Sequence, residues 1–278
     1  VTKQLKGVNS TLDLSSPQVM GILNITPDSF SDGGQFSQLA PAMAQVSRMI
    51  ADGATIIDIG GESTRPGAAS VSDEEELARV IPILTAIKQN FQVLVSIDTS
   101  KACVMRAAIA AGADLINDVR ALQNDGCLAA VANSNIPICL MHMQGLPRSM
   151  QVQPQYTDVV GDIMAFFQQR IDACVEAGIG RERLILDPGF GFGKTVAHNY
   201  HLLANMSRFR EFSLPILAGL SRKSMIGNLL NREVSQRLAG SVSAAVIAAQ
   251  QGADIIRVHD VQATVDALKV LQAVNQYQ

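Results

Sequence analysis

The sequence predicts an α/β protein, a (β/α)8 TIM barrel forming a single domain over residues 1–278. Three observations carry that expectation. Short apolar runs recur eight times, each followed by a longer helical pattern. The runs are rich in Ile, Leu and Val with little alternation, as suits strands covered on both faces. Finally, DGATIIDIG, AGADLINDV and QGADIIRVH repeat one junction: a glycine that ends a helix, then Ala, then the next strand. Eight units averaging about 35 residues suit a closed barrel better than the runner-up, a doubly wound open sheet.

The expected strands are 19–25, 55–61, 93–99, 115–119, 137–142, 184–189, 215–221 and 255–260. Between them, Ser72 and Glu75 form a capping-box pattern ahead of LARVIPILTAIK, whose Pro82 should kink or locally break the helix. The Ala-rich stretch 101–111 stops at Gly112. Segment 158–177 places Ile163, Phe166, Phe167, Ile171, Cys174 and Val175 mostly on one face and stops at Gly178. Segment 235–251 stops at Gly252, and 261–274 follows Asp260 as N-cap.

The chain is 47% hydrophobic and 17% charged, with a net charge of -3. That balance argues against a general nucleic-acid or membrane-surface binder. A run of about 18 apolar residues, the length of a transmembrane helix, is absent. The first residues, VTKQLKGVNSTLDL, hold no apolar signal-peptide core. Cys103, Cys127, Cys139 and Cys174 lie scattered, so the expectation is reduced thiols in a cytoplasmic protein.

The chemistry sits where the strands end. IIDIGGESTRPGA, residues 56–68, begins as an apolar strand carrying Asp58, then opens into hydroxyls, Arg65 and Pro66. In a barrel of this kind the active site lies at the C-terminal ends of the strands. Those ends carry Asn24, Asp58, Asp98, Asn117 with Asp118, His142, Asp187, then Ser221, Arg222, Lys223 and Ser224, then Arg257 and His259. A single Asp there is often a helix cap, the reading adopted for Asp118 and Asp260. So many polar groups in otherwise apolar runs nevertheless point to a functional cluster, because burying them unpartnered is costly. Asp98, Asn117 and Asp187 offer acceptors and an amide, and Lys223 a donor. Such a set suits a flat heterocycle with an amino-imino edge and a carbonyl. Arg257 and His259, two apart, share one side of the last strand, where barrels commonly hold phosphate. Two patterns are set aside. DPGFGFGKT has Pro188 where a phosphate-binding loop needs its first glycine; its glycines instead suggest a mobile loop of close approach. His198 and His201 lack an evident third metal ligand.

GILNITPDSFSDGG, IDIGGESTRPGA, SIDTSK, LINDV, CLMHMQG, DPGFGFGKT, GLSRKS and RVHDV, in that order and across nearly the whole chain, resemble the dihydropteroate synthase family. The resemblance implies a transferase of folate biosynthesis, the enzyme blocked by sulfonamides. It joins 6-hydroxymethyl-7,8-dihydropterin pyrophosphate to 4-aminobenzoate, releasing pyrophosphate. It implies that Asp98, Asn117, Asp187 and Lys223 hold the pterin, with Asp98, Lys223 and Asp187 closest to the chemistry. Asn24 would carry Mg2+ with the pyrophosphate, and Arg257 and His259 would meet the phosphates. Thr64 and Arg65 would enter on the second loop. Phe192, Ser221 and Ser224 would help hold 4-aminobenzoate, Arg222 would bind substrate beside them, and Met141 and Phe192 would be apolar walls. Residues 26–36 would close over the site, and the family commonly forms homodimers. Alternatives are a pterin-dependent methyltransferase, a Schiff-base aldolase using Lys223, and a non-catalytic pterin-binding barrel. The full TPDSFSDGG and ESTRPGA loops favour the synthase. An aromatic amine is already neutral at pH 7, so the hard step is departure of pyrophosphate, and the expected route is dissociative.

Overall fold

The computed structural model describes residues 4–6, 11–25, 34–63, 70–145 and 154–277. Eight parallel strands form the barrel: β3 (Gln18–Asn24), β4 (Ile56–Gly60), β5 (Leu94–Asp98), β6 (Leu115–Asp118), β7 (Ile138–Met141), β8 (Leu184–Asp187), β9 (Leu217–Ala218) and β10 (Ile255–Val258). Their order is β8-β7-β6-β5-β4-β3-β10-β9. A parallel bridge between Leu186 and Ile216 closes the ring. Each expected run therefore holds a strand, but β9 shrinks to two residues. Pro215 at its entrance has no N–H to donate, and the Ile216 N–H turns to the Asp254 carboxylate at 2.8 Å.

The helices are α1 (Gly34–Ala51), α2 (Asp73–Asn90), α3 (Ala102–Ala110), α4 (Cys127–Ala132), α5 (Val159–Glu176), α6 (Val196–Ala204), α7 (Ser224–Leu230), α8 (Leu238–Gln250) and α9 (Val261–Asn275). The repeated junction is physical: Gly53, Gly112 and Gly252 all have positive φ where a helix turns back to the barrel. Three expectations are corrected. α2 runs unbroken through Pro82, which sits on its exposed side where water can solvate the carbonyl left without a donor. Ser72 caps α2 by accepting from Glu75 N at 3.2 Å, but the reciprocal half of the box is not made, because Glu75 pairs with Arg79 instead. Asp260 stands at the N-cap of α9 without a capping bond; its carboxylate takes Arg222 Nε at 2.9 Å.

Inside the barrel, side chains alternate with period two along each strand. The lower inward layer is apolar and takes one residue from every strand: Met20, Ile56, Leu94, Leu115, Cys139, Ile185, Leu217 and Ile255. An antiparallel hairpin, β1 (Gln4–Lys6) with β2 (Thr11–Asp13), lies ahead of the barrel. Its Leu5 and Leu12, with Leu14 beyond, pack on that layer and cover the N-terminal end. The larger core fills the space between strands and helices. Among the described residues all four cysteines are free, and no helix is long and apolar enough to cross a membrane.

Candidate active site

Two residues up from the apolar layer, the same inward face turns polar. Asp58, Ser96, Asn117, Asp187 and Arg257, with apolar Met141 among them, each lie two positions after a member of that layer. Register completes the mouth: Asn24 pairs with Gly60, Gly60 with Asp98, Asp98 with Asn117, and Met141 with Asp187. The strand-end residues thus converge because parallel strands of one barrel share a face.

Arg257 crosses the centre. Its Nε donates to Asp58 Oδ2 at 2.6 Å and its Nη2 to Asp98 Oδ2 at 2.8 Å. Asn117 Nδ2 also donates to Asp58 Oδ2, at 3.3 Å. Asp58 is fully buried, and it is the site residue that strand-end reasoning noticed but did not assign to substrate. Burial raises the Asp98 pKa from 3.8 to about 7 against the pull of Arg257, with Asp58 and Asp118 adding repulsion. Burial opposes the Arg257 charge, but Asp58 and Asp98 outweigh it and raise its pKa. The two ion pairs therefore secure the cation without restoring Asp98, which faces other carboxylates besides. Burial likewise raises Asp187, with Lys223 opposing. Burial lowers Lys223 to about 8, with Asp187 opposing.

Lys223 stands at the N-cap of α7, after Arg222 in a left-handed turn with φ 59°. Its ammonium donates to the Phe190 carbonyl and lies 4.7 Å from the centre of the Phe192 ring. The glycine loop that supplies both is not the loose segment the sequence suggests. Gly189 N donates to Asp187 Oδ1 at 2.8 Å, Gly191 N to Asn199 Oδ1 at 2.7 Å, and Lys194 Nζ to the Gly189 and Phe192 carbonyls at 2.8 and 3.1 Å. Gly189 has φ 71°, and a methyl group there would overlap the His142 carbonyl oxygen.

Of the remaining expected residues, Ser221 Oγ lies 3.0 Å from His259 Nδ1. His142, Ser221 and His259 lie just past strand ends rather than on strands. Arg222 is drawn to Asp260, and Ser224 opens α7 exposed. Met141 is a buried wall. Thr64 and Arg65, and residues 26–33 of the first loop, lie outside the described residues. Asp118 plays a structural part, accepting from Arg120 N and Leu122 N at 2.8 Å each. His198 belongs to a cap: its Nδ1 accepts from Thr195 N at 3.3 Å. No group of three potential metal-ligating side chains occurs among the described residues.

A barrel that gathers carboxylates, an amide and a half-buried lysine at its C-terminal mouth defines the class of small-molecule barrel enzymes. The family model of the pterin binding enzymes matches residues 20–259. The dihydropteroate synthase of Escherichia coli K12 is 58% identical over 264 residues, 95% of this chain and 94% of that one. The Haemophilus influenzae enzyme is 57% identical over 265 residues, 95% and 96% of the two chains. Among solved structures, Yersinia pestis dihydropteroate synthase with a sulfonamide drug complex superposes with a TM-score of 0.94 at 57% identity, covering 98% and 99%. The Xanthomonas albilineans enzyme with 4-aminobenzoic acid gives 0.94 at 51%, covering 99% of each. The chain belongs to the pterin-binding enzyme family and, within it, to the dihydropteroate synthases, which are transferases.

Proposed function

We propose that this barrel transfers the pterinylmethyl group of 6-hydroxymethyl-7,8-dihydropterin pyrophosphate to the amine of 4-aminobenzoate, giving 7,8-dihydropteroate and pyrophosphate. The observation that carries the reading is the inward row Asp98–Asn117 and Asp187 facing Lys223. Ionised Asp98 and Asp187 accept from the amino-imino edge, Asn117 serves its mixed donor and acceptor positions, and Lys223 donates to the ring carbonyl. Both carboxylates favour positive charge on the bound ring. Arg257 and His259 face the leaving group, and Arg257 exchanges part of its hold on Asp98 for the phosphate. Phe192, Ser221 and Ser224 flank the amine substrate, Arg222 binds substrate beside them, and Met141 is an apolar wall. Thr64 and Arg65 are assigned to substrate by the family resemblance alone. No side chain is asked to deprotonate the amine before attack.

Asn24 fits a Mg2+ site. That ion keeps several waters and takes few protein oxygens besides substrate phosphate, and the Asn24 amide oxygen faces the space left by Gly60, whose added Cβ would sit 3.5 Å away. When bound, Mg2+ neutralises charge growing on the pyrophosphate. The protein acts in the cytoplasm, where its free thiols stay reduced, and as a homodimer.

Matched formation of pyrophosphate and dihydropteroate from the two substrates with Mg2+ tests the activity; pyrophosphate without dihydropteroate would refute transfer. The dissociative route is tested by omitting the amine. Pyrophosphate should then still appear, slowly, with the hydroxymethyl pterin formed by water. Strict dependence of release on amine at every concentration would overturn that route.

A further inference from the structure

The lysine of the GFGKT run takes no part in the chemistry above, yet Lys194 is 97% buried by its 3% exposure. Its hydrogen-bond partners are His142 Nδ1 at 3.0 Å, the Gly189 carbonyl at 2.8 Å and the Phe192 carbonyl at 3.1 Å. An ammonium has three N–H groups for these three acceptors. A neutral amine would fill the same bonds, donating to the carbonyls and accepting from the imidazole, so the tether survives either protonation state. His142 is itself buried, in a T-shaped contact with the Phe166 ring, their centroids 4.9 Å apart. Filling this space would take only an apolar side chain such as methionine. A buried lysine is costly there, so its polarity needs an explanation beyond packing.

That explanation lies one residue layer above. Lys194 holds the first and last carbonyls of the Gly189–Phe192 stretch, and between them the Phe190 carbonyl takes the Lys223 ammonium. The Phe192 ring faces the same ammonium. We propose that Lys194, seated on His142, is a positioning residue for the transfer reaction. It fixes the loop that in turn fixes Lys223 where the pterin carbonyl arrives. The proposal rests on Lys223 being the pterin donor.

The full chain with Lys194→Met, His142→Leu and His142→Gln tests it, by steady-state kinetics, pH profiles and thermal melting. Lys194→Met and His142→Leu should each lower kcat/KM for the pterin substrate roughly a hundredfold, the scale of a displaced reacting group, while the protein stays folded. His142→Gln, which still offers Lys194 an oxygen, should recover most of that loss. With the loop untied, water reaches Lys223. The basic limb of the kcat/KM profile should then move to higher pH, although Asp187, Asp98 and Arg257, which also face Lys223, are unchanged. Unaltered kinetics in Lys194→Met would overturn the proposal. So would losses in both Lys194→Met and His142→Leu that merely follow the fraction unfolded. A wild-type protein unable to bind any pterin would instead refute the donor role of Lys223 on which the proposal stands, a result separable from any difference among variants.

Discussion

At the scale of single residues, burial rather than contact number decides the electrostatics of the mouth. Asp98 keeps a proton to about 7 in the folded, substrate-free protein, against 3.8 ordinarily. Its contribution to stability is therefore full below pH 3.8 and lost as pH rises through about 7. In the proposed pterin complex the preference would reverse, because the ring edge would donate to the ionised form. The kcat/KM profile should thus rise through about 7 as Asp98 ionises and fall above about 8 as Lys223 loses its proton. A profile flat from pH 6 to 9 would show that neither group governs binding. Asp58 makes a different test. Removing this fully buried partner leaves Arg257 held by Asp98 alone, and Asp58→Ala should cost about 3 kcal/mol in urea unfolding. A cost under about 1 kcal/mol, the level of a surface pair, would mean that water already screens Arg257. Asp98, Asn117 and Asp187 were legible from sequence because so many acids and amides ending apolar strands outweigh the helix-cap reading open to each one alone. Lys194 was not, because a lysine after glycines reads as solvent or phosphate chemistry until its burial is seen.

Elements explain how loops of such different sequence are held at one mouth. Before and after residues 64–69, the second loop is fastened to one cation. Lys101 Nζ, ahead of α3, donates to Glu62 Oε2 at 2.8 Å, the Val71 carbonyl at 2.7 Å and Glu76 Oε2 at 2.6 Å. Arg79 adds a bond to the Gly61 carbonyl at 2.7 Å. Burial opposes the Lys101 charge, but Glu62 and Glu76 raise its pKa overall. Its stabilisation is therefore present below the ordinary lysine value and fades only as pH climbs through the raised one. Lys101→Met strands the buried Glu76 carboxylate, so stability at neutral pH should fall by about 3 kcal/mol. A loss under about 1 kcal/mol would mean that water already screens Glu76. The apolar strands and helix-ending glycines made the elements themselves readable. Pro82 misled because a single missing N–H on an exposed helix face is cheaper than a broken core-facing helix. The hairpin escaped notice because its three-residue strands, QLK and TLD, are too short to show a period.

The whole molecule leaves one side unfinished. Closing the barrel and plugging its base with the hairpin buries the inner face of every strand, yet large apolar side chains stay exposed on consecutive helices. Leu229 and Leu230 lie on α7, Val234 just before α8, Leu238 and Ile247 on α8, and Val270 and Val274 on α9. α8 packs against both α7 and α9, so these residues belong to neighbouring elements. Sequence alone could not separate this face from a barrel-covering one, because SVSAAVIAAQ has apolar residues nearly all round. Its Ala244, Ala245 and Ala248 turn inward and are buried, while Ile247 is 43% exposed. Isolated exposed apolar residues are ordinary; several on adjacent helices are what an interaction surface would leave exposed. A second copy meeting this face across a two-fold axis would cover it on both chains with one contact set. Sedimentation should accordingly report a dimer for the native chain. Ile247→Glu combined with Val270→Glu should give a folded monomer, with pterin binding kept because Lys223 and the strand ends are untouched. Persistence of the dimer in that double variant would place the interface elsewhere on the barrel.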